Sequence, residues 1–507
     1  MRTALRVLLV ALSLLSAGTS SAQEPPVYVL TQRGTPSISN LYVFAGDCLT
    51  QVTRLRLPTA GNLFAQYLAV DPTGSRAYVS MFGVPGALDV VDLTAPLRVL
   101  SSISGDFSDL VLNPAGTRLY IVVPTGVAVY DVTVTPPSLV TTVPVSGARR
   151  PAVNPAGTLV YVSTGNGVHA IDTSSNTDAL AFGAGLATDA LAVKADGTRV
   201  YVVIQNMEDD LGVFTDLGVP VTTITGTVAA RPSTVAVNPA LPRLYVDGHT
   251  VVDTDTNTVV GSLGISGQAA VNTRGTRVAV DTGTFVHSFD TSTNADLGSA
   301  KIKTILGVAV AIGPSVSSAA CTAGGTVFLP KLTLTRLGSP LGDEGFHLKG
   351  DVVRNGSVPL SPATQGAQLL LEDIGAGTTA IFNLTSATDP IPPGGPGSGC
   401  APGDGWVSGG TSSTYTNQSG TIDPPACTPG SAMGLGKLSF QDHRRNGLCG
   451  KIHVTAVAAG ASIAPPIGPV RATVVFGASA GAGTAGDCGL VTLDCVTGSG
   501  GTTMNCQ

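Results

Sequence analysis

A short turn-and-strand unit recurs six times in this 507-residue chain and constrains its fold more than any other feature. The copies open at Asp71, Asn113, Asn154, Lys194, Asn238 and Asn272, and the plainest reads Asn113-Pro-Ala-Gly-Thr-Arg-Leu-Tyr120-Ile. Pro presets φ for the first central residue, Gly supplies an open φ, and a leading Asn or Asp bonds its own backbone. Each copy therefore reads as a tight turn. A Tyr-Val or Tyr-Ile strand follows in five copies, and Ala279-Val in the sixth. The aligned positions 78, 120, 161, 201, 245 and 279 stand 42, 41, 40, 44 and 34 residues apart. A hairpin at that period, with four short strands per repeat, is the pattern of a propeller blade.

Each full repeat also offers a third strand ending in Asp, as at Asp92, Asp131, Asp172, Asp253 and Asp290. A fourth strand follows, such as Leu139 to Val145 or Val221 to Thr225. The N-terminal repeat starts at Val27-Tyr-Val-Leu30 without an inner strand, while Ile305 to Pro314 has the form of an inner strand with no Tyr strand after it. The sequence thus predicts that 305–314 pair with 27–30. The expected fold is all-β: a seven-bladed β-propeller over 23–314, closed by its own termini, which would remove open sheet edges. A linker at 315–325 and a disulfide-bonded antiparallel β-sandwich with Pro/Gly-rich loops at 326–507 would follow.

The blocks Val145-Ser-Gly-Ala-Arg-Arg-Pro151, Asn154-Pro-Ala-Gly-Thr-Leu-Val-Tyr-Val162 and Ala170-Ile-Asp-Thr-Ser-Ser-Asn176 resemble the YVTN-type seven-bladed propellers of bacterial and archaeal surface proteins and YncE-like periplasmic proteins. The resemblance covers residues 27–314 and implies a ring but no particular activity. The C-terminal block looks like domains of uncharacterised exported bacterial proteins.

Composition narrows the class. Asp, Glu, Lys and Arg make up 12% of the chain, against about a quarter in ordinary soluble proteins. Net charge is −6 and no basic run occurs, so nucleic acid is not an expected partner. Arg2 and Arg6, the apolar run Val7 to Leu15 and Ser20-Ser-Ala22 read as a signal peptide over 1–22. No later stretch reaches membrane-spanning length, and the chain is expected to be exported to the periplasm, the cell surface or the medium.

Eight cysteines, Cys48, Cys321, Cys400, Cys427, Cys449, Cys488, Cys495 and Cys506, are disulfide candidates. Cys48 and Cys321 flank strands of the N-terminal repeat and are expected to join across the latch. The other six allow fifteen pairings. No Cys-x-x-Cys spacing points to zinc or haem, and neither metal nor cofactor is expected.

Several spellings of chemistry reduce to plainer readings. Asp253-Thr-Asp255-Thr-Asn257 alternates like a calcium loop, but Thr258 and Gly264 stand where Gly and an acid are needed. Gly477-Ala-Ser479-Ala-Gly481 spells a nucleophile elbow without the following helix. His443, Arg444 and Arg445 beside His453 read as solvated turn residues. His169, His249 and His287 fall on different repeats at non-equivalent positions, which gives no triad or metal cluster.

The remaining candidates sit on loops that such a ring gathers at its channel mouth: Arg33, Arg149, Arg150, Asp189, Glu208, Asp209, Asp210 and Arg231. Convergent Arg facing an acidic loop would take a polar or anionic ligand. The expected function is a non-catalytic binding or surface-interaction protein whose partner is a protein, a polysaccharide or a small polar molecule. A lactonase-like hydrolase is the alternative, by analogy with a similar ring in the 6-phosphogluconolactonase type.

Overall fold

The computed structural model describes residues 25–33, 38–46, 49, 51–58, 63–93, 97–205, 210–225, 234–302, 306–312, 321, 325–338, 342–355, 360–375, 377–385, 388–443, 449–479, 482, 488–498 and 500–506. The chain is all-β. Pro362–Gln365 forms a single helical turn.

The repeated turn forms as its chemistry dictates. The Asn113 Oδ1 accepts from the backbone N–H of Thr117 (2.8 Å) and of Arg118 (3.0 Å), and Gly116 takes φ 67°. Asn154 and Asn272 hold their turns the same way. The Arg after the turn lies opposite the Asp that ends the third strand. Arg118–Asp131 (2.9 Å), Arg243–Asp253 (2.7 Å) and Arg277–Asp290 (3.0 Å) are the resulting cross-strand ion pairs.

Pairing of these hairpins yields seven separate four-stranded antiparallel sheets. Strand Val27–Arg33 lies between Ile38–Phe44 and Leu306–Ile312, with Val29 opposite Val310, so the two distant segments do pair. That pairing completes a sheet, and no hydrogen-bonded ladder joins one sheet to the next among the described residues. The expectation of a propeller closed by its own termini is therefore corrected: the seven sheets are open, each with two edges that no ladder pairs among the described residues. A closed ladder would need outer strands to find partners, and these instead face outward. Pro220–Ile224 and Thr258–Ser262 are almost wholly exposed, with Val221, Val259 and Val260 at the surface.

What joins the sheets is side-chain packing. The first strands Phe64–Val70, Leu110–Leu112, Pro151–Val153, Thr188–Val193, Val235–Val237 and Gln268–Val271 lie each against the next, and Leu306–Ile312 against the first and last of them. The second-strand tyrosines Tyr78, Tyr120, Tyr161, Tyr201 and Tyr245 are buried between sheets. Tyr161 donates its hydroxyl to the carbonyl of Asp216 on the following sheet at 2.8 Å, and Tyr201 does so to Thr254 at 3.0 Å.

Residues from 325 onward form one hydrogen-bonded sheet of twelve strands. The expected two-sheet sandwich is corrected to this continuous ladder. One strand causes it: Gly325–Thr335 pairs at its first residues with Cys488–Leu493 and from Val327 onward, through a register shift between Phe328 and Lys331, with Glu344–Asn355, so it carries the ladder from one group of strands to the other. A core built around Phe346, Phe382, Trp406, Phe440 and Phe476 packs against the sheet. The Pro/Gly-rich stretch after Thr388 is held by the Cys400–Cys427 disulfide and by hydrogen bonds at its end. Asp404 is fully buried and accepts from the N–H groups of Ala401 (3.0 Å) and Gln418 (2.6 Å), and Trp406 donates to Pro392.

Three disulfides are described: Cys321–Cys488, Cys400–Cys427 and Cys495–Cys506. The predicted Cys48–Cys321 bridge is overturned, because Cys321 is buried with Val475, Cys488 and Leu490 at the C-terminal sheet. Cys48 and the Cys449 side chain lie outside the described residues, as does the predicted signal peptide. Disulfides persist in oxidising compartments, so these bridges mark a non-cytoplasmic protein. Among the described residues no helix is long and apolar enough to cross a membrane.

Candidate functional site

The functional candidates meet where the first strands of four successive sheets converge. Strand Pro151–Val153 packs between Leu110–Leu112 and Thr188–Val193, and Arg150 stands just before it. Its guanidinium lies between two carboxylates: Nη1 is 3.0 Å from Asp109 Oδ2 and Nε is 3.3 Å from Asp189 Oδ1. The same group covers the ring of Tyr67 at 4.9 Å, a cation–π contact. These three charged side chains keep only 19–24% of their surface exposed.

A second layer surrounds this one. The Gln205 amide donates to Asp189 Oδ2 at 2.7 Å and accepts at its Oε1 from Arg149 Nη1 at 2.8 Å. Arg149 also donates to the carbonyl of Thr188 at 3.2 Å, and its side chain is otherwise open to solvent. Burial pushes the Asp109 carboxyl above its usual range, and the Arg150 guanidinium beside it opposes that rise. Burial works against the charge of Arg150, yet Asp109, Tyr67 and Asp189 overcome it and hold the guanidinium protonated.

Three of the eight sequence candidates, Arg149, Arg150 and Asp189, are thus brought together. Asp210 was expected on an exposed loop. It begins strand Asp210–Thr215 and is 8% exposed, because the strand starts earlier than the loop composition implies. Glu208, Asp209 and Arg231 lie outside the described residues, and so does the side chain of Arg33.

Tyr67 and Asp109 escaped the sequence reading, although a signal existed. Tyr67, Asp109 and Arg150 each stand four residues before the residue that opens the next turn, Asp71, Asn113 and Asn154. Asp189 stands five before Lys194, and the extra residue is absorbed by the register break between Thr188 and Leu191. Counting back from each turn would have placed Tyr67, Asp109 and Arg150 at one level, and only the register break brings Asp189 to it.

The other motifs resolve into structure. Asp253 Oδ1 accepts from the N–H groups of Asp255 and Thr256, which is a turn and not a cation loop. Ser479 is exposed, and its carbonyl accepts from Gln368. His453 pairs with Asp351 at 2.8 Å, while Arg444 and Arg445 lie outside the described residues. His169 and His287 prove equivalent, contrary to expectation. Each stands three residues before the Asp closing its strand and pairs with an acid nine residues on, Asp178 at 2.7 Å and Asp296 at 3.3 Å. Among the described residues no three His, Cys, Asp or Glu side chains are grouped to hold a metal ion.

No protein-family model matches the chain, and no curated protein matches it. Among solved structures, it is similar to a functionally unknown protein from Desulfotomaculum acetoxidans DSM 771, at 16% identity and a TM-score of 0.45, over 58% of this chain and 100% of that one. It is also similar to Kuenenia stuttgartiensis hydrazine synthase, at 13% identity and a TM-score of 0.42, over 50% of this chain and 90% of that one. At such scores neither likeness carries an argument about function.

Proposed function

We propose that the chain is an exported, non-catalytic binding protein that takes its ligand at the Arg149–Arg150–Asp189 cluster. The observation that carries this reading is the neutralisation of Arg150 by Asp109 and Asp189. A fixed, half-buried polar array with an exposed Arg149 at its outer edge is suited to recognition. A lactonase-like hydrolase needs a carboxylate or His free to take a proton from water. Both carboxylates of this cluster are instead held by Arg150, which favours binding over hydrolysis.

The test is a ligand screen against the purified chain, read by thermal shift and repeated with Arg149→Ala. A ligand of this cluster should bind at least about tenfold more weakly to that variant. A ligand held equally well by Arg149→Ala and by Gln205→Ala would place the binding surface elsewhere.

A further inference from the structure

We infer that the ligand of this cluster is a neutral polyhydroxylated molecule, a saccharide, and not an anion. The inference rests on the binding role proposed above and adds the chemical class. Two Arg and two Asp make the cluster neutral overall. Arg150 offers a carboxylate or phosphate two edges for a two-point contact, Nε with Nη2 and Nη1 with Nη2, and each edge already has one nitrogen facing a carboxylate, Nε at Asp189 and Nη1 at Asp109. An incoming anion would have to displace one carboxylate and approach the other, at a cost in like-charge repulsion. The face of Arg150 is likewise taken by Tyr67.

A hydroxyl meets neither obstacle, since it donates and accepts at once. The array offers both functions within one hydrogen-bonded chain. Carboxylate oxygens of Asp109 and Asp189 accept, the Arg149 guanidinium donates, and the Gln205 amide does both. Each group is held by a neighbour, so little side-chain ordering remains when a ligand arrives. Vicinal hydroxyls on a sugar ring match planar groups presented side by side.

The experiment exposes the purified chain to an array of neutral gluco-, manno- and galacto-configured oligosaccharides. Inorganic phosphate, sulfate and tripolyphosphate are titrated in parallel. At least one neutral oligosaccharide should bind, with an affinity that moves by less than about twofold when salt rises from about 0.05 to 0.5 M. Arg149→Ala and Gln205→Ala should each weaken it by about tenfold. Preference for the anions, steeply lost with salt and sensitive to Arg149→Ala, would overturn the saccharide assignment and leave the cluster as a binding site. A saccharide bound undiminished by both variants would overturn the cluster itself. Binding of no probe at all would also overturn the assignment.

Discussion

The hydroxyl of Tyr201 donates to the carbonyl of Thr254 at 3.0 Å, reaching from one four-stranded sheet to the next. Among the described residues no ladder joins the sheets, so such contacts and the apolar packing around them set how the sheets meet. Tyr201→Phe keeps the ring and leaves the carbonyl without its donor. The expected loss is about 1–2 kcal/mol of stability, read as a lower urea midpoint with an unchanged slope. No loss would mean that apolar packing alone orders this junction.

Arg150 should matter to stability as well as to binding. Arg150→Met leaves Asp109 and Asp189 facing each other without a cation. A cost of about 2–4 kcal/mol is expected, at the low end of the range for broken buried pairs because about a fifth of each side chain still meets solvent. The combined variant Arg150→Met, Asp109→Asn, Asp189→Asn should recover most of it. If the single variant were as stable as the parent, the ion pairs would be incidental.

Asp281 gives a pH dependence with a definite sign. It is 2% exposed, and burial raises its carboxyl from 3.8 to about 7, against an opposing bond from the Gly283 N–H. Between those two values the folded chain keeps a proton that the unfolded chain releases, so this residue lowers stability as pH rises from 3.8 to about 7 and adds no slope beyond. Asp281→Asn should flatten that slope and stabilise the chain at pH 8 by on the order of a few kcal/mol. Urea midpoints at several pH values check it, and parallel curves for the two proteins would refute it.

Disulfide mapping under non-reducing conditions should recover Cys321 joined to Cys488. The bridge spans 167 residues, and on the chain-entropy account a loop of that size contributes about 5 kcal/mol. Cys321→Ala with Cys488→Ala should therefore lower the melting temperature strongly. A peptide linking Cys321 to Cys48 would contradict this pairing.

What could be read along the chain is what short-range chemistry controls. The Asn-Pro-Ala-Gly turns, the strand after each and the Asp closing the third strand involve partners a few residues apart, and they formed as written. The pairing of Val29 with Val310 was legible too, because each end lacked the strand that the other supplied. Even the equivalence of His169 and His287 lay open to counting from the closing Asp.

Three-dimensional packing decided the rest. Arg150 finds Asp109 and Asp189 across 41 and 39 residues, at positions where nothing local distinguishes a solvated charge from a paired one. Cys321 chose Cys488 over Cys48 because the two lie on one buried patch, which no spacing encodes. Whether four-stranded units stay open, and whether twelve strands run on as one ladder, depends on which edges meet. Backbone donors and acceptors at a strand edge are alike in every sequence, so that choice is written only in how the faces pack.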